Sequence, residues 1–157
     1  MTAAGLGYPA TRPALARLAH IRAVLAARLW LQASPAWGQA RAWWHSERRL
    51  RTALRSGVGV GHLPDGEVHW PSLPASPYAG QVWAVEVELT PKPLARTSRI
   101  MGGLLSPARY AQVIYLTTPA ARLVVTRAAD ALSAAQRARV VVRDLPPYAF
   151  TPEGPPS

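Results

Sequence analysis

Apolar residues between positions 14 and 32 recur three or four apart, at Leu18, Ile21, Leu25 and Leu29. An α-helix returns to the same face every 3.6 residues, so this spacing predicts a helix over 14–32. Ser34-Pro35-Ala36 then offers an N-cap residue and a proline at the first helical position, the start of a second helix over 35–55. On that helix Trp43, Glu47, Leu50 and Leu54 fall on one stripe, and Arg41, Arg48 and Arg55 fall on another at seven-residue spacing. Gly57, Gly59 and Gly61 break the pattern. Val58, Val60 and Leu63 among them form a short expected strand that ends at the turn signature Pro64-Asp65-Gly66.

A second short strand is expected over 67–70, followed by a loop containing Pro71, Pro74 and Pro77. Alternation is clearest over 81–90, the best strand of the chain. Pro91 and Pro93 close it and open a helix that runs to Gly102-Gly103. Residues 112–117 are a nearly continuous apolar run, as buried parallel strands are. A helix over 119–132 and a strand over 138–145 follow. Strands alternating with helices in the second half predict one α/β domain over 14–145. Residues 1–13 are expected as a flexible lead-in, and 146–157, with five prolines, as a tail that does not fold independently.

Composition narrows the function classes. A chain of 157 residues with 49% hydrophobic and 17% charged residues fits a globular domain. Its net charge of +10 and pI near 11.4 favour a polyanionic partner, nucleic acid before an anionic membrane surface. All but one of its 18 basic residues are arginine, a bias that a GC-rich coding sequence also produces, which weakens that inference. The absence of cysteine excludes disulfides, thiol nucleophiles and Cys-ligated metals. The four histidines show no His-x3-His spacing. The apolar stretch 14–33 is interrupted by Arg17, His20, Arg22 and Arg28, too charged to span a bilayer. With no secretory leader evident, a cytoplasmic protein without a membrane partner is the default expectation.

Against that basic background only 8 residues are acidic, and some of them stand in apolar runs. In Ala84-Val85-Glu86-Val87-Glu88-Leu89 the two glutamates project to one face of the strand, roughly 7 Å apart by the rise per residue. They repel unless arginines of a neighbouring helix or a bound cation compensate them. Glu47 falls on the apolar stripe of its helix, where a solvated glutamate is out of place. Asp65 sits in a turn whose following strand leads through one loop to the Glu86 strand. Lys92, the only lysine, follows Glu88 by four residues. A divalent metal is the simplest single account of converging carboxylates.

Four segments together resemble the replication-relaxation family: Trp43-Trp44-His45-Ser46-Glu47-Arg48-Arg49-Leu50, His62-Leu63-Pro64-Asp65-Gly66, Val85-Glu86-Val87-Glu88-Leu89-Thr90-Pro91-Lys92 and Tyr110-Ala111-Gln112-Val113-Ile114-Tyr115-Leu116. That family belongs to the PD-(D/E)XK nuclease-like superfamily of plasmids and mobile elements. The resemblance spans roughly 20–145 and implies a restriction-endonuclease-like mixed sheet flanked by helices. It implies that Glu47, Asp65 and Glu86, with the backbone carbonyl of Val87, converge on one or two Mg²⁺ or Mn²⁺ ions. Glu88 occupies the position where the superfamily places its lysine, which leaves Lys92 to reach back to the site. Family members often carry a winged helix upstream, for which there is no room here, so a DNA-targeting module is expected from a partner.

The expected polyanion track is Lys92, Arg96 and Arg99 at i, i+4, i+7, with Arg41, Arg48 and Arg55 as a second track. Most of the six tryptophans suit core positions, and Trp70, beside the proline-rich loop, is the candidate for base stacking. His45 and His62 are expected to be solvated or structural. The expected function is a DNA-binding, Mg²⁺-dependent endonuclease or nickase of a mobile element, with Asp65, Glu86, Glu88 and Lys92 at the chemistry. The alternatives are a non-catalytic DNA-binding or assembly subunit that keeps the nuclease fold, and a structural protein whose basic surface meets RNA or protein.

Overall fold

The computed structural model describes residues 15–54, 61–74, 76–106 and 109–147. In chain order these form α1 (Leu15–Gln32), α2 (Pro35–Ala40), β1 (Trp43–Ser46), α3 (Glu47–Leu54), β2 (Gly66–His69), β3 (Val82–Glu88), α4 (Leu94–Leu105), β4 (Gln112–Thr117), α5 (Pro119–Asp130), α6 (Ala134–Arg137) and β5 (Val140–Asp144). The strands make one mixed sheet of order β1-β2-β3-β4-β5. β1, β2 and β3 are antiparallel neighbours, and β4 and β5 add parallel to β3. The chain is therefore an α/β protein with a five-stranded mixed sheet flanked by helices.

Strand alternation divides the core into two apolar layers. Val85 and Val87 of β3 face a cluster with Ala23, Ala27 and Leu31 of α1 and Trp37 of α2. Ala84 faces the opposite cluster, with Met101 and Leu104 of α4 and Val125 and Ala128 of α5. The small alanine face of α1 is the one turned to the sheet. Leu18, Ile21, Leu25 and Leu29, the stripe that reveals the helix in the sequence, are 41–52% exposed on its outer side.

The helix expected over 35–55 is instead two helices separated by a strand. Ser34 caps α2 as expected, accepting from Trp37 N, but Arg41 adopts a left-handed conformation (φ 52°) and ends it. Trp43–Ser46 then pairs with β2, since aromatic side chains suit a pleated, half-buried surface. Ser46 Oγ accepts from Arg49 N at 3.4 Å, so α3 opens at Glu47. Trp43 therefore shares no helical stripe with Glu47, and Arg41 no stripe with Arg48. Gly61–Leu63 is irregular where a strand was expected, while Val58, Val60 and Arg55 lie outside the described residues. So do the lead-in 1–13 and the tail beyond 147.

Gly66 is required opposite Ser46 in the β1–β2 pair, because a Cβ there would lie 1.8 Å from Trp44 Cζ2. The helix after β3 starts at Leu94, so Lys92 precedes it instead of lying on its first turn. Among the described residues no helix is long and apolar enough to cross a membrane.

Candidate functional site

The antiparallel register of β2 and β3 sets Gly66 opposite Val85, which brings Asp65 alongside the end of β3. Asp65 Oδ2 accepts from the Val87 amide at 2.8 Å, a side chain extending the backbone ladder. Its other oxygen lies 2.8 Å from Nε2 of His20, which α1 carries to the site. The amide and carbonyl of one strand residue leave on the same side, so the Val87 carbonyl also points towards Asp65. Glu86 is 2% exposed, with His62 Nε2 at 3.0 Å from its Oε1. Glu88 is 5% exposed and ion-paired to Lys92. A cleft of about 430 Å³ runs past His20, Val87, Glu88, Lys92 and Thr118.

Burial dominates the electrostatics of Glu86. It pushes the Glu86 carboxyl up from 4.5 to about 7; His62 opposes this, while the nearby charges of Asp65 and Glu88 add to it. The hydrogen bond to Asp65 raises His20, and that to Glu86 raises His62. Tyr115 stands opposite Glu86 in the β3–β4 register, and burial, reinforced by Glu86 and Glu88, raises its phenol. Its hydroxyl is buried without a hydrogen-bond partner among the described residues. Such an orphan hydroxyl costs stability unless something meets it.

Several expected site residues lie elsewhere. Glu47 is tied to Asp65 only through the backbone, its amide donating to the Asp65 carbonyl at 3.1 Å. Its carboxylate turns outward to Arg51 and is 45% exposed, because Glu47 opens a surface helix and does not sit in the middle of a buried one. The convergence of Glu47 with Asp65 and Glu86 is thus corrected to Asp65, Glu86 and Glu88, with His20, His62 and Lys92 interleaved. Arg96 and Arg99 are exposed on α4, and Arg41 at the end of α2 and Arg48 on α3 are exposed as well. Trp70 is 5% exposed and wedged among Trp37, Tyr78 and Trp83, so it offers no open ring face for a base. The exposed indoles are Trp30 and Trp43.

A second polar group escaped the sequence. Glu67 is 1% exposed; its Oε1 accepts from Arg109 at 2.7 Å and from the Tyr110 hydroxyl at 2.6 Å, and its Oε2 lies 2.9 Å from His69 Nε2. Register places His45 directly opposite Glu67, on the face that also carries His69. Burial lowers the pKa of His45, helped by the neighbouring His69 and Arg49. The detectable signal was Glu67-Val68-His69, a carboxylate and an imidazole on one face of a strand.

Comparison with protein-family models, curated proteins and solved structures finds no match to this chain.

Proposed function

We propose that this chain binds DNA and cleaves its phosphodiester backbone with Mg²⁺ or Mn²⁺ held by Asp65, Glu86 and the Val87 carbonyl, in a restriction-endonuclease-like fold serving replication or transfer of a mobile element. The observation that carries this reading is a turn acid and a buried strand acid meeting at one end of a mixed sheet, with Glu86 pushed to about 7. A carboxylate that ionises so reluctantly in metal-free protein gains most from a dication beside it. The donor set is all oxygen, as Mg²⁺ and Mn²⁺ prefer, and the Tyr115 hydroxyl, on the strand position opposite Glu86, has no hydrogen-bond partner among the described residues. When bound, the ion would lower the pKa of a water and offset charge on the scissile phosphate. Lys92, ion-paired to Glu88 at the cleft, would attract the phosphate. The N-terminus of α5 begins beside Thr118 in the same cleft and adds a favourable potential for anions.

A second reading has its own support: a DNA-binding or assembly subunit of a larger complex that keeps the fold without turnover. Glu47 turns away, Glu88 stands where the superfamily has its lysine, and Asp65, Glu86 and Glu88 each have a basic partner within the chain. Supercoiled plasmid incubated with Mg²⁺ or Mn²⁺ separates the two. Nicked or linear product is expected from the parent chain, at a rate at least about a hundredfold higher than from Asp65→Ala or Glu86→Ala. Equal cleavage by both variants would overturn the hydrolase assignment. Intact plasmid that is nevertheless shifted in a gel selects the second reading, and no shift at low salt defeats both.

A further inference from the structure

We infer that His45, Glu67 and His69 form a second metal site, one for a divalent transition ion of the zinc class, at the β1–β2 edge of the sheet. The three residues offer ligand atoms that all lie within 4.8 Å of one another. Tetrahedral coordination with arms of about 2.0–2.2 Å needs donors roughly 3.4 Å apart. The Glu67–His69 contact, at 2.9 Å, is already short enough. The remaining closure falls to His45, a half-buried side chain on the edge strand.

Two features distinguish this group from a simple ion pair. First, Glu67 does not need His69 for compensation, because Arg109 and Tyr110 already hold its Oε1. That leaves Oε2 to His69, whose ring lies 4.2 Å from that of His45; His45 Nε2 accepts from Trp43 Nε1 at 3.1 Å, a bond that a metal bound at that nitrogen would replace. Second, the donors are held in place. The β1–β2 register fixes His45 against Glu67, Trp43 stacks on His69 at 5.4 Å, and Arg109 and Tyr110 orient the carboxylate from behind. Metal-ligating carboxylates are commonly oriented by such hydrogen bonds. Two imidazoles and one carboxylate suit zinc, cobalt, nickel or copper better than Mg²⁺, which separates this edge chemically from the all-oxygen set at Asp65. The half-exposed imidazoles leave coordination positions open to solvent.

Titration of the full chain with Zn²⁺, followed by calorimetry and by the visible spectrum of the Co²⁺ form, tests this. With millimolar Mg²⁺ present to fill the oxygen site, one equivalent is expected to bind, at least tenfold more weakly in His45→Ala and His69→Ala and unchanged in Asp65→Ala. Tyr110→Phe keeps all three ligands but removes a donor to Glu67, and is expected to weaken binding by about tenfold. Millimolar Mg²⁺ is expected not to compete. No uptake by the parent chain, or uptake undiminished in both histidine variants, would overturn the site. Loss in Asp65→Ala, or displacement by Mg²⁺, would move the ion to the other acids and overturn it equally.

Discussion

At the scale of one residue, Glu86 governs how the fold answers pH. Its carboxyl holds a proton up to about 7 in the folded chain, against 4.5 for an unperturbed glutamate. Between those values the folded state is the more protonated, so stability falls as pH rises through that window and levels off above it. At about 1.4 kcal/mol per tenfold change in proton affinity the loss is on the order of 3 kcal/mol. His20 and His62 act in the same sense: both are raised above 6.5, so what they contribute is complete below 6.5 and is lost as pH climbs through their folded values. Glu86→Gln removes the glutamate's share and the cause of His62's, leaving only that of His20. Urea midpoints at pH 5 and pH 8 are therefore expected to differ clearly in the parent chain and much less in the variant, which is the more stable of the two at pH 8. Parallel profiles would refute a destabilising Glu86 carboxylate. The acids of this site were legible wherever their placement is local: alternation sets Glu86 beside Glu88, and the turn delivers Asp65. Glu47 was misplaced because its surroundings depend on whether Trp43–Ser46 joins a helix or a sheet, a choice made by pairing with β2. Glu67 met the same test as Glu86, an acid in a strand, but its cationic partner Arg109 lies 42 residues away and left no local trace.

Among the elements, β2 and its approach to β1 hold the site together. Gly66 joins Asp65 to the strand and lies beneath the Trp44 ring, with no space for even a methyl group. Gly66→Ala is expected to cost about 1–3 kcal/mol, the usual penalty for forcing extra volume into a packed contact. Gly103→Ala is the matched control: it lies in α4 with nothing within 4 Å of an added Cβ, and is expected to stabilise by roughly 0.5–1 kcal/mol through helix propensity. Chemical denaturation of both variants checks the pair, and equal effects would contradict the packing described for Trp44. Elements with strong local signals were legible in the sequence: α1, β3, β4, α5 and β5 all form near their expected places. What periodicity could not give was the side presented to the core. In α1 the leucine stripe has the right spacing for a buried face, yet the alanine face packs, because small side chains let the helix approach the sheet closely. β1 was hidden for a related reason. Its four residues continue a helical spacing by accident, and only the partner strand makes them extended.

For the molecule as a whole, burial redistributes charge. Glu67, Glu86 and Glu88, three of the 8 acidic residues, are withdrawn from the surface, which is left more basic than the net charge of +10 alone suggests. Arg96 and Arg99 stand exposed on α4, just beyond Lys92 and the cleft, and carry no ion pair among the described residues. Arg122 is equally solvent-facing but is already paired with Asp144. Counterion release makes phosphate binding fall linearly in log–log terms with salt, by nearly one power for each phosphate neutralised. Arg96→Ala and Arg99→Ala are each expected to lower that slope by about one and to weaken binding uniformly across duplex sequences, while Arg122→Ala leaves the slope unchanged. Fluorescence anisotropy of labelled duplexes between about 50 and 200 mM salt measures it. An affinity indifferent to salt would remove α4 as the polyanion track. A slope that drops only in Arg122→Ala would move that track to the α5 side of the sheet.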